Sequence, residues 1–232
     1  FQEVLERSRA VGDARIEGMA LRELGNLALA RERGAEAKQL LEGSLARLEA
    51  AGCRAESVST RISLGELARA NEDFAEARKH YASALLAAVA HDLSIDAVVA
   101  LLDLALTELS MGRPRRAARR LASLDERIPR EDASRYRPWI ELLRLVVLAG
   151  EGRWDAADQH LDSLDSLRLP SGDRDALFFV ELAAVAAVQG GELALAHDVC
   201  ELASDLTNED EAEALQRRIA ALAESSRKRS SQ

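Results

Sequence analysis

Aromatic residues are scarce in this chain: Phe, Trp and Tyr together make up 3% of 232 residues. With β-branched residues also sparse, Ala and Leu carry most of the apolar mass, and these with Arg and Glu head the helix-propensity ranking. Cysteine is nearly missing too, with only Cys53 and Cys200, far apart in sequence. That excludes a disulfide framework and makes two reduced thiols the simpler reading. No apolar run approaches the roughly 18 residues a membrane span needs. The longest candidate, "FFVELAAVAAV" (178–188), is broken by Glu181. Cations are outnumbered, 31 Lys+Arg against 40 Asp+Glu for a net charge of −9. This argues against general nucleic-acid affinity, which depends on clustered cations releasing counterions. No signal peptide is visible, and the chain opens on Phe1 rather than Met.

What is present is repetition. "AEAKQLLEGSL" (35–45), "AEARKHYASAL" (75–85), "RRAARRLASLD" (115–125), "DAADQHLDSLD" (155–165) and "LAHDVCELASD" (195–205) align on Ala37, Ala77, Ala117, Ala157 and Ala196. The steps are 40, 40, 40 and 39 residues, and Leu41, Tyr81, Leu121, Leu161 and Cys200 stand four residues after each Ala. Upstream, "LRELGNLALA" (21–30) and "TRISLGELARA" (60–70) align Leu24 with Leu64, Gly25 with Gly65 and Ala28 with Ala68. Leu104, Ala105 and Glu108 follow at the same step, the last departing from its column. Each unit therefore reads as two helices crossing at a small residue, with a neighbouring large residue filling the groove between ridges.

Punctuation supports this division. Pro114, Pro129, Pro138 and Pro170 are expected at or near helix boundaries. Glycines such as Gly12, Gly52, Gly112, Gly152 and Gly172 fall in turns, and Asp73 and Asp173 are expected N-caps. The expected helices cover about 14–32, 35–51, 55–71, 74–91, 94–111, 114–128, 135–149, 154–167, 174–189, 192–207 and 209–225.

These columns resemble the tetratricopeptide repeat (TPR) family, whose signature sets a Leu-Gly pair in the first helix and Ala, aromatic or Leu, then Ala in the second. The resemblance covers essentially the whole chain and is strongest in the first two full units; Arg144 and Leu145, then Ala183 and Ala184, depart from the Leu-Gly columns. The 40-residue period is similar to long-helix variants in kinesin light chains and in bacterial transcription activators. HEAT repeats share the longer period and are the structural alternative. The implied fold is all-α, a right-handed superhelical solenoid of antiparallel helix pairs. It is expected as one array over 1–225: a partial unit 1–13, full units 14–53, 54–93, 94–132, 133–172 and 173–208, a capping helix 209–225 and a polar tail 226–232. "FQEVLERSRAVGD" reads as the second helix of a preceding unit, so more array or another domain is expected before Phe1.

No convergent catalytic set stands out, and the chain is read as a non-enzyme without metal or cofactor. His80 and His160 precede core positions. His197 and Cys200 lie three apart, but Cys200 is in a packing column and no second pair completes a metal site. "GEGRWD" (150–155) lacks the rest of any phosphate-binding motif and reads as a turn, with Trp154 in the column of Phe74. "RPRRAARR" (113–120) is the densest basic run. It reads as a charged outer face, with docking to an acidic partner as the other reading.

In TPR arrays the first helix of each unit lines the concave side. Carried over, this puts Met19, Arg22, Asn26 and Leu29, then Ser59, Ile62, Glu66 and Arg69, on a mixed polar half-groove. Val99, Leu102, Leu106 and Leu109, then Trp139, Leu142 and Val146, then Phe178, Glu181, Val185 and Gln189 form a largely apolar half. Arg22 and Asn26 resemble part of the carboxylate clamp of chaperone-binding TPR domains, but Ile62 and Ser63 interrupt it. The apolar half is either internal packing or a groove for an amphipathic helix, a neighbouring domain or a second copy, with Trp139 and Phe178 as anchors. The expected function is a protein- or peptide-binding scaffold in a larger cytoplasmic bacterial signalling protein, with no nucleic-acid or membrane partner. Small-molecule sensing in the concave groove is the alternative.

Overall fold

The computed structural model describes residues 1–128, 133–164 and 174–230. Among these residues it has twelve helices and no strand: α1 (Gln2–Val11), α2 (Ala14–Ala30), α3 (Gly34–Ala50), α4 (Arg54–Ala70), α5 (Phe74–Ala90), α6 (Ser94–Ser110), α7 (Pro114–Arg127), α8 (Ala133–Gly150), α9 (Trp154–Leu164), α10 (Arg174–Gly190), α11 (Leu193–Leu206) and α12 (Glu209–Ser230). The all-α expectation holds. Described helix ends fall within two residues of expectation except at α12 and at α9, whose expected last residues lie outside the described set, as do Pro129, Pro170, Gly172 and Asp173.

Two expectations need correction. Pro138 lies inside α8, because that helix begins at Ala133 and so places the proline just past its first turn. The missing N–H then removes an i→i−4 bond near the helix start, where the ladder is least complete. The expected polar tail is also helical: α12 continues through "SSRKRS" to Ser230.

The turns share one geometry. Positive φ recurs at Gly12 (73°), Glu32 (59°), Gly52 (67°), Glu72 (59°), Asp92 (55°), Gly112 (68°) and Gly152 (71°), a step of 20 residues apart from the undescribed position 132, and then one residue early at Gly191 (88°). Thus a 40-residue unit is two 20-residue halves, a 17-residue helix plus a three-residue turn in α2 to α6. Each turn closes on the same paired bonds, as in Glu72 N to Arg69 O (2.9 Å) and Asp73 N to Ala68 O (2.9 Å). These cap the last carbonyls of one helix while the next begins. Side-chain N-caps occur where an Asp is available, Asp13 accepting from Ile16 N and Asp73 from Glu76 N, both at 3.0 Å.

The aligned alanines do the same work in every repeat. Ala37, Ala77, Ala117, Ala157 and Ala196 are all buried, and each donates its N–H to the residue four back, the first bond of its helix. The following column of Leu41, Tyr81, Leu121, Leu161 and Cys200 is buried throughout. A buried Leu of this kind contributes about 1.5–3 kcal/mol relative to exposure.

The helices fall into two compact units, Phe1–Thr107 and Glu108–Gln232, the division lying inside α6. In the first, α1 packs on α2, α2 on α3, α3 on α4 and α4 on α5, and α2 also touches α4. Val58 and Ile62 of α4, Ala77, Tyr81 and Ala84 of α5, and Ala97, Ala100 and Leu104 of α6 share one core cluster. In the second unit α7 packs on α8, α8 on α9, α10 on α11 and α11 on α12, while α10 also touches α8 and α12. No described helix is long and apolar enough to cross a membrane.

Candidate functional site

In the first unit the expected polar face is built on α2 and α4. Arg22 and Asn26 stand one turn apart on α2. Arg22 is engaged locally, its Nε and Nη2 donating to Glu23 Oε1 at 3.1 and 2.7 Å. Asn26 Oδ1 is buried without a hydrogen-bond partner. Arg69 and Glu66 of α4 join Asp103 of α6 as the charges acting on Tyr81, whose ring is fully buried. Burial foremost, then the Asp103 carboxylate, holds the Tyr81 phenol well above its ordinary range, so it stays protonated. This is a partly buried polar seam under the surface. Leu102 is half-buried and Leu106 is buried, so the apolar residues that α6 adds are mainly packing.

In the second unit the expected groove residues separate. Leu142 and Val146 of α8 are buried, consistent with the contact of α8 with α10. Trp139 and Phe178 are half-buried. Glu181 Oε2 accepts from Arg218 Nη2 of α12 at 3.2 Å, so this carboxylate ties α10 to the terminal helix. Val146 and Val185 come together in a cleft of about 650 Å³ bounded by the last turns of α6, α8 and α10 and the turns that follow α6 and α8.

Trp154, the first residue of α9, supplies the aromatic wall of that cleft; Trp139 and Phe178 do not line it. The ring lies directly on the end of α10: a Cβ added at Gly190 would meet Trp154 Cζ2 at 2.2 Å. The same offset recurs at Pro114, whose Cβ would be 3.0 Å from a Cβ at Gly150. In both pairs the first residue of one helix rests on the last turn of the next helix. Leu109, Leu182 and Val185 give the cleft apolar walls, and Glu151 and Gln189 add polar groups at its rim. Sequence reading placed Trp154 at the junction of a turn and the helix expected from 154, and gave the anchor role to Trp139 and Phe178. The missed signal was Gly190, a small residue 36 positions after the ring it accommodates.

Among the described residues no group of three His, Cys, Asp or Glu is placed to hold a metal ion. His197 is exposed with Nδ1 3.3 Å from Asp198 Oδ1, while Cys200 is buried and its thiol is pushed up to about 11 by desolvation and then by Glu181. His160 Nε2 lies 3.0 Å from the Glu141 carbonyl oxygen. In the basic run, Arg113 and Arg116 approach the buried Glu108 carboxylate at 3.6 and 4.0 Å, while Arg115 and Arg119 are exposed. Part of that run therefore neutralises a buried acid.

No protein-family model matches this chain, and no curated protein matches it.

Proposed function

We propose that the chain is a non-catalytic scaffold that binds a protein or peptide, a TPR-like module of a larger cytoplasmic bacterial signalling protein. The observation that carries this reading is the cleft of about 650 Å³ walled by Leu109, Val146, Val185 and Trp154. An apolar wall with an aromatic anchor and a few polar rim groups suits a side chain presented by a bound segment. The residues Arg22, Asn26 and Arg69 would serve as polar contacts on the other unit's polar face.

A size within the roughly 300–1,000 Å³ common for ligand pockets keeps small-molecule sensing as the second reading. Selection of random displayed peptides on the purified chain, followed by calorimetry on the selected sequences, tests the scaffold. Micromolar binding lost in Trp154→Ala, with helical content retained, supports it. Absence of any selected sequence, together with reproducible thermal stabilisation by a metabolite, replaces it with sensing.

A further inference from the structure

We propose that the exposed face of α5 is a self-association surface, on which a second copy of this chain packs its own α5 antiparallel about a two-fold axis at Leu86. The inference goes beyond the scaffold reading and does not depend on it. Leu86 is 73% exposed and Val89 43%, one turn apart on a helix that buries Ala77, Tyr81, Ala84 and Ala88 on its other side. The repeat does not require them. Ala46, Glu126, Ser166 and Asp205 stand in the column of Leu86 in the other units, and α3 carries Glu49 where α5 carries Val89. Ala46, Glu126 and Asp205 are exposed, as Leu86 is. Where the fold is built equally well with Ala, Glu or Asp, a large apolar pair serves a contact outside the chain.

The face is complementary to itself. At about 100° per residue, Ala75, Lys79, Ala82, Leu86, Val89 and Ala90 fall on one stripe of α5. Lys79 precedes Leu86 by seven residues and Asp92 follows it by six, so the two charges lie about 10 Å along the helix on opposite sides of the leucine. An antiparallel copy turned about Leu86 therefore sets each Lys79 against the other copy's Asp92, Ala82 against Ala90, and the two Leu86 side chains against each other. The alanines let the two helices approach. Both charges are accessible. The Lys79 side chain is 70% exposed and held by Glu76 in an i,i+3 pair of the kind that contributes little, and Asp92 is exposed in the turn after α5. In a parallel pairing Lys79 would meet Lys79 and Asp92 would meet Asp92, so the charges select the antiparallel one. A foreign helix would need the same apolar centre with the charges reversed, which a second α5 supplies by symmetry. A contact centred on one 17-residue helix belongs with the small, weak interfaces, so the dimer should form only at high concentration.

The test is sedimentation velocity of the full chain from about 1 μM to about 1 mM. Leu86→Glu and Leu86→Lys are run singly and mixed in equal amounts. Both introduce good helix formers at an exposed site, and circular dichroism checks that each variant folds. The expected result is a concentration-dependent dimer that each variant weakens roughly tenfold, since like charges then meet on the axis, and that the mixture restores. Lys79→Glu and Asp92→Lys give an independent readout should a Leu86 variant not fold: each alone should weaken the dimer about threefold, and the double variant should recover it. A monomer at every concentration overturns the proposal, as does a dimer that neither Leu86 variant weakens. Loss in both Leu86 variants without recovery in their mixture overturns the two-fold pairing at Leu86. Peptide binding at the Trp154 cleft is measured separately, so the scaffold reading stands or falls on its own result.

Discussion

Gly65 of α4 and Tyr81 of α5 meet so closely that a Cβ built on the glycine would stand 2.5 Å from Tyr81 Cε1. The pair is the crossing point of its unit, and Gly25 meets Leu41 Cγ in the same way at 2.7 Å, 16 residues apart in both cases. Tyr81 has no exposed surface, so its ring has nowhere to retreat. Gly65→Ala should therefore lower stability: overpacking costs about 1–3 kcal/mol, against a helix-propensity gain of about 1 kcal/mol. Gly43→Ala is the control, since its nearest neighbour, Leu21 Cδ1, lies 3.9 Å away. Thermal melts should move in opposite directions for the two variants; a stabilised Gly65→Ala would mean the helices can separate at this crossing without cost.

The 20-residue recurrence of positive φ gives a second prediction. Four of its positions are glycines, but Glu32, Glu72 and Asp92 hold the same left-handed conformation with side chains attached. Glu72→Gly and Glu32→Gly should each raise stability by about 1 kcal/mol, because the left-handed region strains an L-residue by an amount of this order. Asp92→Gly should gain less, since Asp tolerates the region better. Chemical denaturation of the three variants checks the ranking.

How far this architecture was readable depends on whether the cause is local. The alanine columns were visible because Ala37, Ala77, Ala117, Ala157 and Ala196 fill the same buried position near the start of each helix with the same residue at nearly fixed spacing. The 20-residue half-period went unread, because the sequence marks it with Gly at some turns but with Glu32, Glu72 and Asp92 at others. The burial of Leu142 and Val146 follows from α8 lying against α10, which no pattern within α8 states. Trp154 shows the same limit. Its role depends on Gly190 at the end of a different helix, so its local neighbours read only as a turn.

The thiols should differ sharply in reactivity. Cys200 is buried between α11 and α12, and burial raises its pKa to about 11, so little thiolate exists near neutrality. Cys53 precedes α4 and is half-buried. A thiol-specific chromogenic reagent should titrate Cys53 in the native chain and Cys200 only on unfolding, and Cys53→Ser should leave a nearly unreactive native protein. Equal rates at the two sites would show that α12 opens from α11 readily.

His80 offers a pH test whose sign is set by burial. Its ring on α5 is desolvated, and this lowers its pKa below the ordinary 6.5; Glu76 at 3.6 Å and Glu42 pull the other way, while Arg61 and Lys79 add to the depression. The unfolded chain then takes up the proton first as pH falls through 6.5, so folding loses stability from there down to the folded pKa and no more below it. His80→Gln should flatten that window. It should leave untouched the separate loss at lower pH from Glu56, whose carboxyl is held below 4.5 by backbone hydrogen bonding and by Arg15. Denaturation midpoints measured from about pH 8 to pH 2 separate the two contributions by position. An unchanged slope around pH 6 in His80→Gln would mean that Glu76 compensates the burial of the imidazolium.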